Sequence, residues 1–216
     1  MEFEIIKKLL SLGETGENAA MVTIIRTLGS TPRNPGAKML VLPDGRVYGS
    51  IGGGCGEAEV KREALDVLHY SKTPKKFRLE LTNDVAAGDG MACGGVQDVF
   101  IDYIDHADRE ARQVFSSYLD SLEKKENPLL ITVTEAEGVK KSILGRKAVF
   151  YPLGKKSGDL QLPELAEQIA ELAELAHSEK KVNLFTVSDG EMKRIELLCE
   201  PAVCSPQLLI LGGGHI

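Results

Sequence analysis

The chain of 216 residues is 43% hydrophobic and 27% charged, with a net charge of −6 and a pI near 5.4. Such a length holds one large domain, or one domain with a fragment of a second. An acidic chain without a basic stripe excludes general nucleic-acid binding, which is led by phosphate neutralisation, and no apolar run approaches the roughly 18–20 residues of a membrane span. Four cysteines at irregular spacing make no disulfide framework and are read as reduced thiols. Glu2, Glu4, Lys7 and Lys8 interrupt the apolar start of the chain, which reads as an amphipathic helix, not a signal peptide. The expected location is therefore the cytoplasm.

Residues 3–12 place Phe3, Ile6, Leu9 and Leu10 on one helical face. The β-branched run 20–26 predicts a buried strand, and Gly29 to Gly36 a loop. Two short apolar runs, 37–42 and 46–48, flank Asp44-Gly45 and predict a hairpin. A helix follows over 57–69, a strand over 77–81, a glycine-rich loop over 83–95 and a strand over 96–104. Residues 108–124 predict an amphipathic helix. Strands are expected over 129–134, 140–144 and 147–151, with Gly145-Arg146 as a turn. Pro163 suits the first turn of a helix over 163–176. A last hairpin, 182–187 and 191–198, turns at Asp189-Gly190. The expected class is α+β or mixed α/β, with a mixed sheet and flanking helices.

Gly49-Ser50-Ile51-Gly52-Gly53-Gly54-Cys55-Gly56-Glu57 is the densest chemical signal. It lies between a strand pattern and a helix pattern. A helix N-terminus offers unpaired N–H groups and partial positive charge to an oxyanion, and glycines let a ligand approach the backbone. Cys55 adds a soft ligand. Gly52, Gly53, Gly54 and Gly56 are thus expected to cradle a phosphate with Cys55 facing it; the alternative is a tight turn with Cys55 packed as a small apolar residue. Glu57 is read as serving the helix dipole. In Gly29-Ser30-Thr31-Pro32-Arg33, Arg33 could grip a phosphate and Ser30 add a hydroxyl; the alternative is a solvated turn. Cys93, with Gly94 and Gly95, is a second thiol among glycines, either a sulfur ligand or a buried thiol at a strand entry. Zinc on Cys55 and Cys93 lacks the paired spacings of a structural site. Cys199 and Cys204 are read as structural, the histidines as capping or solvated, and the Lys-Lys pairs, 75–76 among them, as solvated.

At the end of the chain, Gln207 to Leu211 predicts a short strand running into Gly212-Gly213-Gly214. Such a strand entering Gly212 and Gly214 begins a dinucleotide-binding βαβ unit. Residues 1–203 are therefore read as one domain, motif-dense over 20–103, and 204–216 as a linker and the first strand and turn of an incomplete Rossmann domain.

Together these motifs resemble the XdhC/CoxI family of accessory factors for xanthine dehydrogenase and carbon-monoxide dehydrogenase. The matching residues are Gly29 to Arg33, Gly36 to Met39, Asp44-Gly45, Gly49 to Glu57, Cys93 to Gly95 and Leu211 to His215. The resemblance implies a chaperone rather than a turnover enzyme. It would bind the molybdenum cofactor (molybdopterin), assist its sulfuration with a cysteine desulfurase and deliver it to an apo molybdenum hydroxylase. The cofactor's terminal phosphate matches the glycine cradle, Ser30 and Arg33. Its sulfur-ligated molybdenum matches Cys55 or Cys93. Two other readings stay open: an NAD(P)- or nucleotide-dependent oxidoreductase in a longer chain, and a protein-interaction domain whose glycines serve only turns. A homodimer is also left open.

Overall fold

The computed structural model describes residues 2–81, 94–190 and 193–202, without the side chains of Cys55 and Leu153. Cys93, Cys204, Gly212 and Gly214 lie outside the described residues, as does the whole expected Rossmann strand.

The first helix, α1 (Glu2–Thr15), buries Ile5, Ile6, Leu9 and Leu12 on one stripe and carries Glu2 and Glu4 in its first turn, where the dipole favours them. Strand β1 (Ala19–Gly29) is buried along its first seven residues, as suits a central strand covered on both faces. It is followed by the hairpin β2 (Lys38–Val41) and β3 (Val47–Gly49). Gly45 turns that hairpin at φ 82°, and the Asp44 carboxylate accepts a 2.9 Å bond from the Arg46 N–H. Helix α2 (Gly54–Asp66) runs into a π-helical turn, Val67–Ser71. Strands β4 (Lys75–Leu81) and β5 (Gly95–Ile104) complete a five-stranded sheet of order β3-β2-β1-β5-β4.

The second half repeats the plan. Helix α3 (Arg109–Glu123) is capped by Asp108, whose carboxylate accepts from the Ala111 N–H at 3.0 Å. Strands β6 (Leu129–Glu137), β7 (Lys147–Phe150) and β8 (Lys156–Gly158) follow, then α4 (Ala166–Glu179), β9 (Asn183–Ser188) and β10 (Arg194–Pro201). These strands form a second five-stranded sheet of order β8-β7-β6-β10-β9.

The α+β class is as expected. The sheet differs from the expected mixed one: every recorded pairing is antiparallel and the strands divide between two sheets. Strands that follow one another directly in the chain, such as β1–β2 and β9–β10, are joined by hairpins and can pair only antiparallel, whereas the central pairs β1–β5 and β6–β10 are long-range and their direction is set by the tertiary fold. The strand expected over 140–144 is a 3₁₀ turn, Lys141–Ile143, and only Ile143 in it is buried. The Val133 N–H and C=O instead pair with Arg146 and Gly145. Lys75 and Lys76 are not simply solvated. Lys75 meets Glu63 at 3.0 Å and Asp66 at 3.2 Å, and Lys76 meets Glu196 at 2.8 Å and Glu135 as well.

Helix α2 packs on the outer face of the first sheet through Val60 and Ala64, continued by Val67 of the π-helical turn, against Ala20, Val22, Ile24, Met39 and Val41. Helix α4 covers the outer face of the second through Ile169, Ala173 and Ala176, against Leu129, Ile131, Val133 and Leu197. Between the sheets lie α1 and α3, with Phe115 and Tyr118 packed among Met21, Leu40, Leu130 and Val149. The inner layer also carries charge. Lys38 pairs with Glu200, and Lys147 with Asp102, so each sheet gives one buried cation to the other's buried anion. Glu2 stands 3.8 Å from Lys38 and accepts a 3.2 Å bond from the Tyr118 hydroxyl. Burial works against the charge on Lys38, but Glu200 and Glu2 outweigh it and hold the amine above its usual range; burial pushes Glu200 up.

Candidate functional site

Gly29 and Gly95 are register partners at one end of the β1–β5 ladder, and Leu81 of β4 pairs with Gly95 at the same end. The loop after β1 and the segment before β5 therefore emerge side by side. A Cβ on Gly95 would lie 2.5 Å from the Ser30 carbonyl oxygen and 2.8 Å from the Thr31 methyl. Only glycine allows that contact. The next residue of the loop, Pro32, seats on the glycine turn. A Cβ on Gly52 would lie 2.5 Å from Pro32 Cγ, and Gly52 has φ 143°. Residues 30–32 thus bridge Gly95 on one side and Gly52 on the other. The structure brings together Ser30, Arg33, Gly52, Gly53, Gly54, Gly94 and Gly95, which the sequence presents as three separate loops.

Within the turn, the glycines divide their work. The Gly52 N–H donates to Ser50 Oγ at 3.2 Å. The Gly53 N–H donates to Glu57 Oε2 at 2.6 Å, and Ser50 Oγ donates to the same oxygen at 3.1 Å. Glu57 therefore closes the helix start from within, which agrees with its reading as a dipole residue. Gly53 is the N-cap of α2, and Gly54 opens the helix with no atom within 4 Å of where a Cβ would stand. Its N–H is one of the orphan donors of the first turn. Gly56 faces the other way: a Cβ there would lie 2.8 Å from Leu79 Cδ2 of β4, so its smallness sets the helix-to-sheet distance.

Arg33 is exposed, and among the described residues its guanidinium has no partner. The open part of this site is thus the Gly53–Gly54 edge and Arg33, both bordering Pro32. That combination offers backbone donors, a helix dipole and a free guanidinium, the chemistry that holds an oxyanion. Cys55 is the second residue of α2 by backbone position. Among the described residues, no three side chains of His, Cys, Asp and Glu gather as a metal site. Cys199 is buried, and desolvation pushes its thiol far above the usual range, so it is an inert core group as expected.

Sequence reasoning missed one brace of the site. Gln97 of β5 is buried, and its amide donates to the Ile51 carbonyl at 3.3 Å, tying the glycine turn to the sheet beneath it. A lone amide on the face of β5 shared by the apolar Val99 and Ile101 is the signal that could have found it. His177 contacts the Ala173 carbonyl in the last turn of α4 at 2.9 Å, as expected of a histidine at a helix end, whereas His69 reaches the Pro43 carbonyl at 3.0 Å and His106 the Asn18 side chain at 2.7 Å, tertiary contacts in place of the expected capping or solvation.

Comparison with known proteins bears on this geometry. The model of the XdhC and CoxI family matches residues 12–78, which hold the Ser30–Arg33 loop, the glycine turn and all of α2. The resemblance read from those motifs is borne out over that segment. Among individual proteins, a probable xanthine dehydrogenase subunit of Bacillus subtilis is 28% identical over 212 residues, covering 94% of this chain and 55% of its own length. The molybdenum cofactor insertion chaperone PaoD of Escherichia coli is 41% identical over 54 residues, 25% of this chain and 17% of its own. The uncharacterized protein YqeB of Escherichia coli is 43% identical over 82 residues, 38% of this chain and 15% of its own. The chain therefore spans little more than half of one curated relative and less than a fifth of the other two. A crystal structure of a xanthine dehydrogenase from Bacillus halodurans resembles the fold with a TM-score of 0.53 at 26% identity, over 71% of this chain and 44% of that one. No helix among the described residues is long and apolar enough to cross a membrane.

Proposed function

We propose that this protein is an accessory chaperone that binds the molybdenum cofactor as cargo and assists its insertion into a xanthine dehydrogenase-type molybdenum hydroxylase. The observation that carries the reading is the convergence of Ser30–Arg33, Gly52–Gly54 and Gly94–Gly95 on one open, donor-rich edge. The fit is to the phosphate end of molybdopterin. Gly54 and the first turn of α2 supply N–H donors, Arg33 a guanidinium and Ser30 a hydroxyl. Gly52, Gly53, Gly56 and Gly95 shape the edge by permitting close approach. Cys55 and Cys93 are assigned to the sulfur-ligated metal end, where a thiolate is a matching soft donor.

The name of the Escherichia coli insertion chaperone, matched over 54 residues, supports the cargo. The finer steps belong to the same proposal: sulfuration with a cysteine desulfurase, transfer to the apo-hydroxylase, a cytoplasmic setting and a homodimer.

Cofactor capture tests it. The protein is expressed in a host that makes molybdopterin, purified without oxygen and assayed for molybdenum and for oxidised-pterin fluorescence. Near-stoichiometric pterin with metal is expected. Arg33→Ala should lower pterin retention about tenfold, the loss of one charge-assisted contact. Cys55→Ala should lower the metal-to-pterin ratio while leaving pterin bound. A well-folded sample that captures neither would sink the reading.

A further inference from the structure

The two halves of the chain carry the same motif. Gly36-x-Lys38-x4-Pro43-x-Gly45-x3-Gly49 recurs as Gly145-x-Lys147-x4-Pro152-x-Gly154-x3-Gly158. Its glycines do the same work in both places. All of them have positive φ, from 78° at Gly145 to 92° at Gly36. A Cβ on Gly49 would lie 2.6 Å from the Lys38 carbonyl oxygen, and one on Gly158 would lie 2.8 Å from that of Lys147.

The structure around the motif matches as well. Apart from short 3₁₀ and π turns, each half runs helix, three strands, helix, two strands. The strand orders are the same, β3-β2-β1-β5-β4 against β8-β7-β6-β10-β9. The registers agree too. Thr23 stands opposite Lys38 as Thr132 stands opposite Lys147, and Met21 opposite Asp102 as Leu130 opposite Glu200. Each central ladder skips one residue at the same step, Ile25 in β1 and Thr134 in β6. A bulge is a specific device of one ladder, not a default of strand pairing. Its recurrence together with the motif and the register marks the halves as copies of one unit.

Equivalent residues meet across the sheets as in a two-fold dimer, where one residue touches its partner's counterpart and the reverse contact is also made. Lys38 of the first half pairs with Glu200 of the second, and Lys147 of the second with Asp102 of the first. Between the two pairs lies a cavity of about 20 Å3, and its walls include the matched residues Thr23 with Thr132 and Phe100 with Leu198.

We infer that this protein is a tandem pair, two copies of one αβββαββ unit joined across a self-complementary face, and that the second copy is the partner the first copy's inner face fits. The copies differ at one edge. The connection from β3 to α2 holds Gly52 and Gly53 and enters the helix at Gly54. The matching connection from β8 to α4, residues 159–165, contains no glycine, and its Leu160, Leu162 and Leu165 are buried in one cluster with Ile143. The same strand-to-helix passage is thus made without glycine, so the passage itself does not demand the glycines of the first copy. Given the reading of the glycine edge as an oxyanion site, on which this step rests, the first copy binds and the second holds.

Exchange of equivalent segments in the full chain tests the pairing. One variant replaces residues 145–158 by the sequence of residues 36–49. A control makes the same replacement one residue out of step, over 146–159. A slip of one residue turns every strand side chain to the other face, so only the in-step variant keeps a lysine toward Asp102 and glycines at the positive-φ places. It should keep a single cooperative urea transition, with a midpoint well above that of the control. A control at least as stable as a folded in-step variant overturns the inference. If neither folds, the exchange of Asp102→Glu with Glu200→Asp decides. Each anion then stands where its counterpart already pairs with lysine, and the midpoint should fall less than in Asp102→Asn, which strands Lys147; an equal fall overturns the pairing. Titration with inorganic phosphate reads the division of labour separately. One phosphate per chain is expected, weakened about tenfold by Arg33→Ala. Two per chain would overturn that division. None would overturn the glycine edge beneath it, while the segment exchange still decides the pairing.

Discussion

Gly52 shows how much of this site rests on a single missing Cβ. Its φ of 143° and the 2.5 Å clearance to Pro32 Cγ leave no room for a side chain. Gly52→Ala should push Pro32 off the turn and lower stability by about 1–3 kcal/mol, read as a fall in the urea midpoint. Gly54, with open space around it, should tolerate alanine sterically, although its φ of 69° still costs about 1 kcal/mol. Glu57 acts through the same turn. Glu57→Ala frees the Gly53 N–H and removes a cap, a loss of about 0.5–2 kcal/mol, whereas Glu57→Gln keeps an acceptor and should lose less. A denaturation series in which the two variants cost the same would argue against the cap.

Helix α2 is positioned by its small residues as much as by its apolar ones. Gly56 lets its first turn approach Leu79 and Leu81, and Ala64 sits fully buried one face further along. The helix start is thereby pressed against β4, beside the loop that follows β1. At its other end the π-helical turn Val67–Ser71 buries Val67 and Leu68 while leaving Tyr70 exposed. Among the described residues, no atom of the second sheet is among the nearest to where a Cβ on Gly52, Gly53, Gly54 or Gly95 would stand. Val182, the residue before β9, reaches the first sheet near Gly36, where a Cβ would lie 2.8 Å from Val182 Cγ2, and so supports the root of the Ser30–Arg33 loop.

The two sheets are joined by apolar packing around α1 and α3 and by two buried ion pairs of opposite polarity. Lys38→Met alone strands Glu200 as an unpaired buried acid and should cost about 3–5 kcal/mol, while the double variant Lys38→Met, Glu200→Leu should recover most of the loss. The Lys38 amine is held above its usual value near 10.5 in the folded state. Folding therefore favours its protonated form. The stability it contributes is complete below that value and disappears as pH climbs through the higher folded one. Urea midpoints measured up to and beyond pH 10.5 should fall for the parent protein and fall less for the double variant. Identical slopes would show that the pair carries none of the alkaline sensitivity.

Local chemistry was legible in the residues one stretch at a time. Helical stripes such as Ile6 and Leu9, the Asp44-Gly45 hairpin and the run of glycines before α2 each declare themselves within a dozen residues, because propensity, turn chemistry and periodicity are short-range. The resemblance carried by Gly29 to Glu57 was equally local. What those stretches could not reveal depends on neighbours far along the chain. Nothing near Lys38 foretells Glu200, 162 residues away, and nothing near Lys147 foretells Asp102. The division into two sheets rests on which hairpins pair, the 3₁₀ turn at Lys141–Ile143 on Val133 pairing with Gly145 and Arg146 instead, and the joining of three glycine loops on Pro32 fitting over Gly52. Those outcomes were settled in three dimensions, because burial and ion pairing are energies of contact and a residue acquires them only when the folded chain supplies its partner.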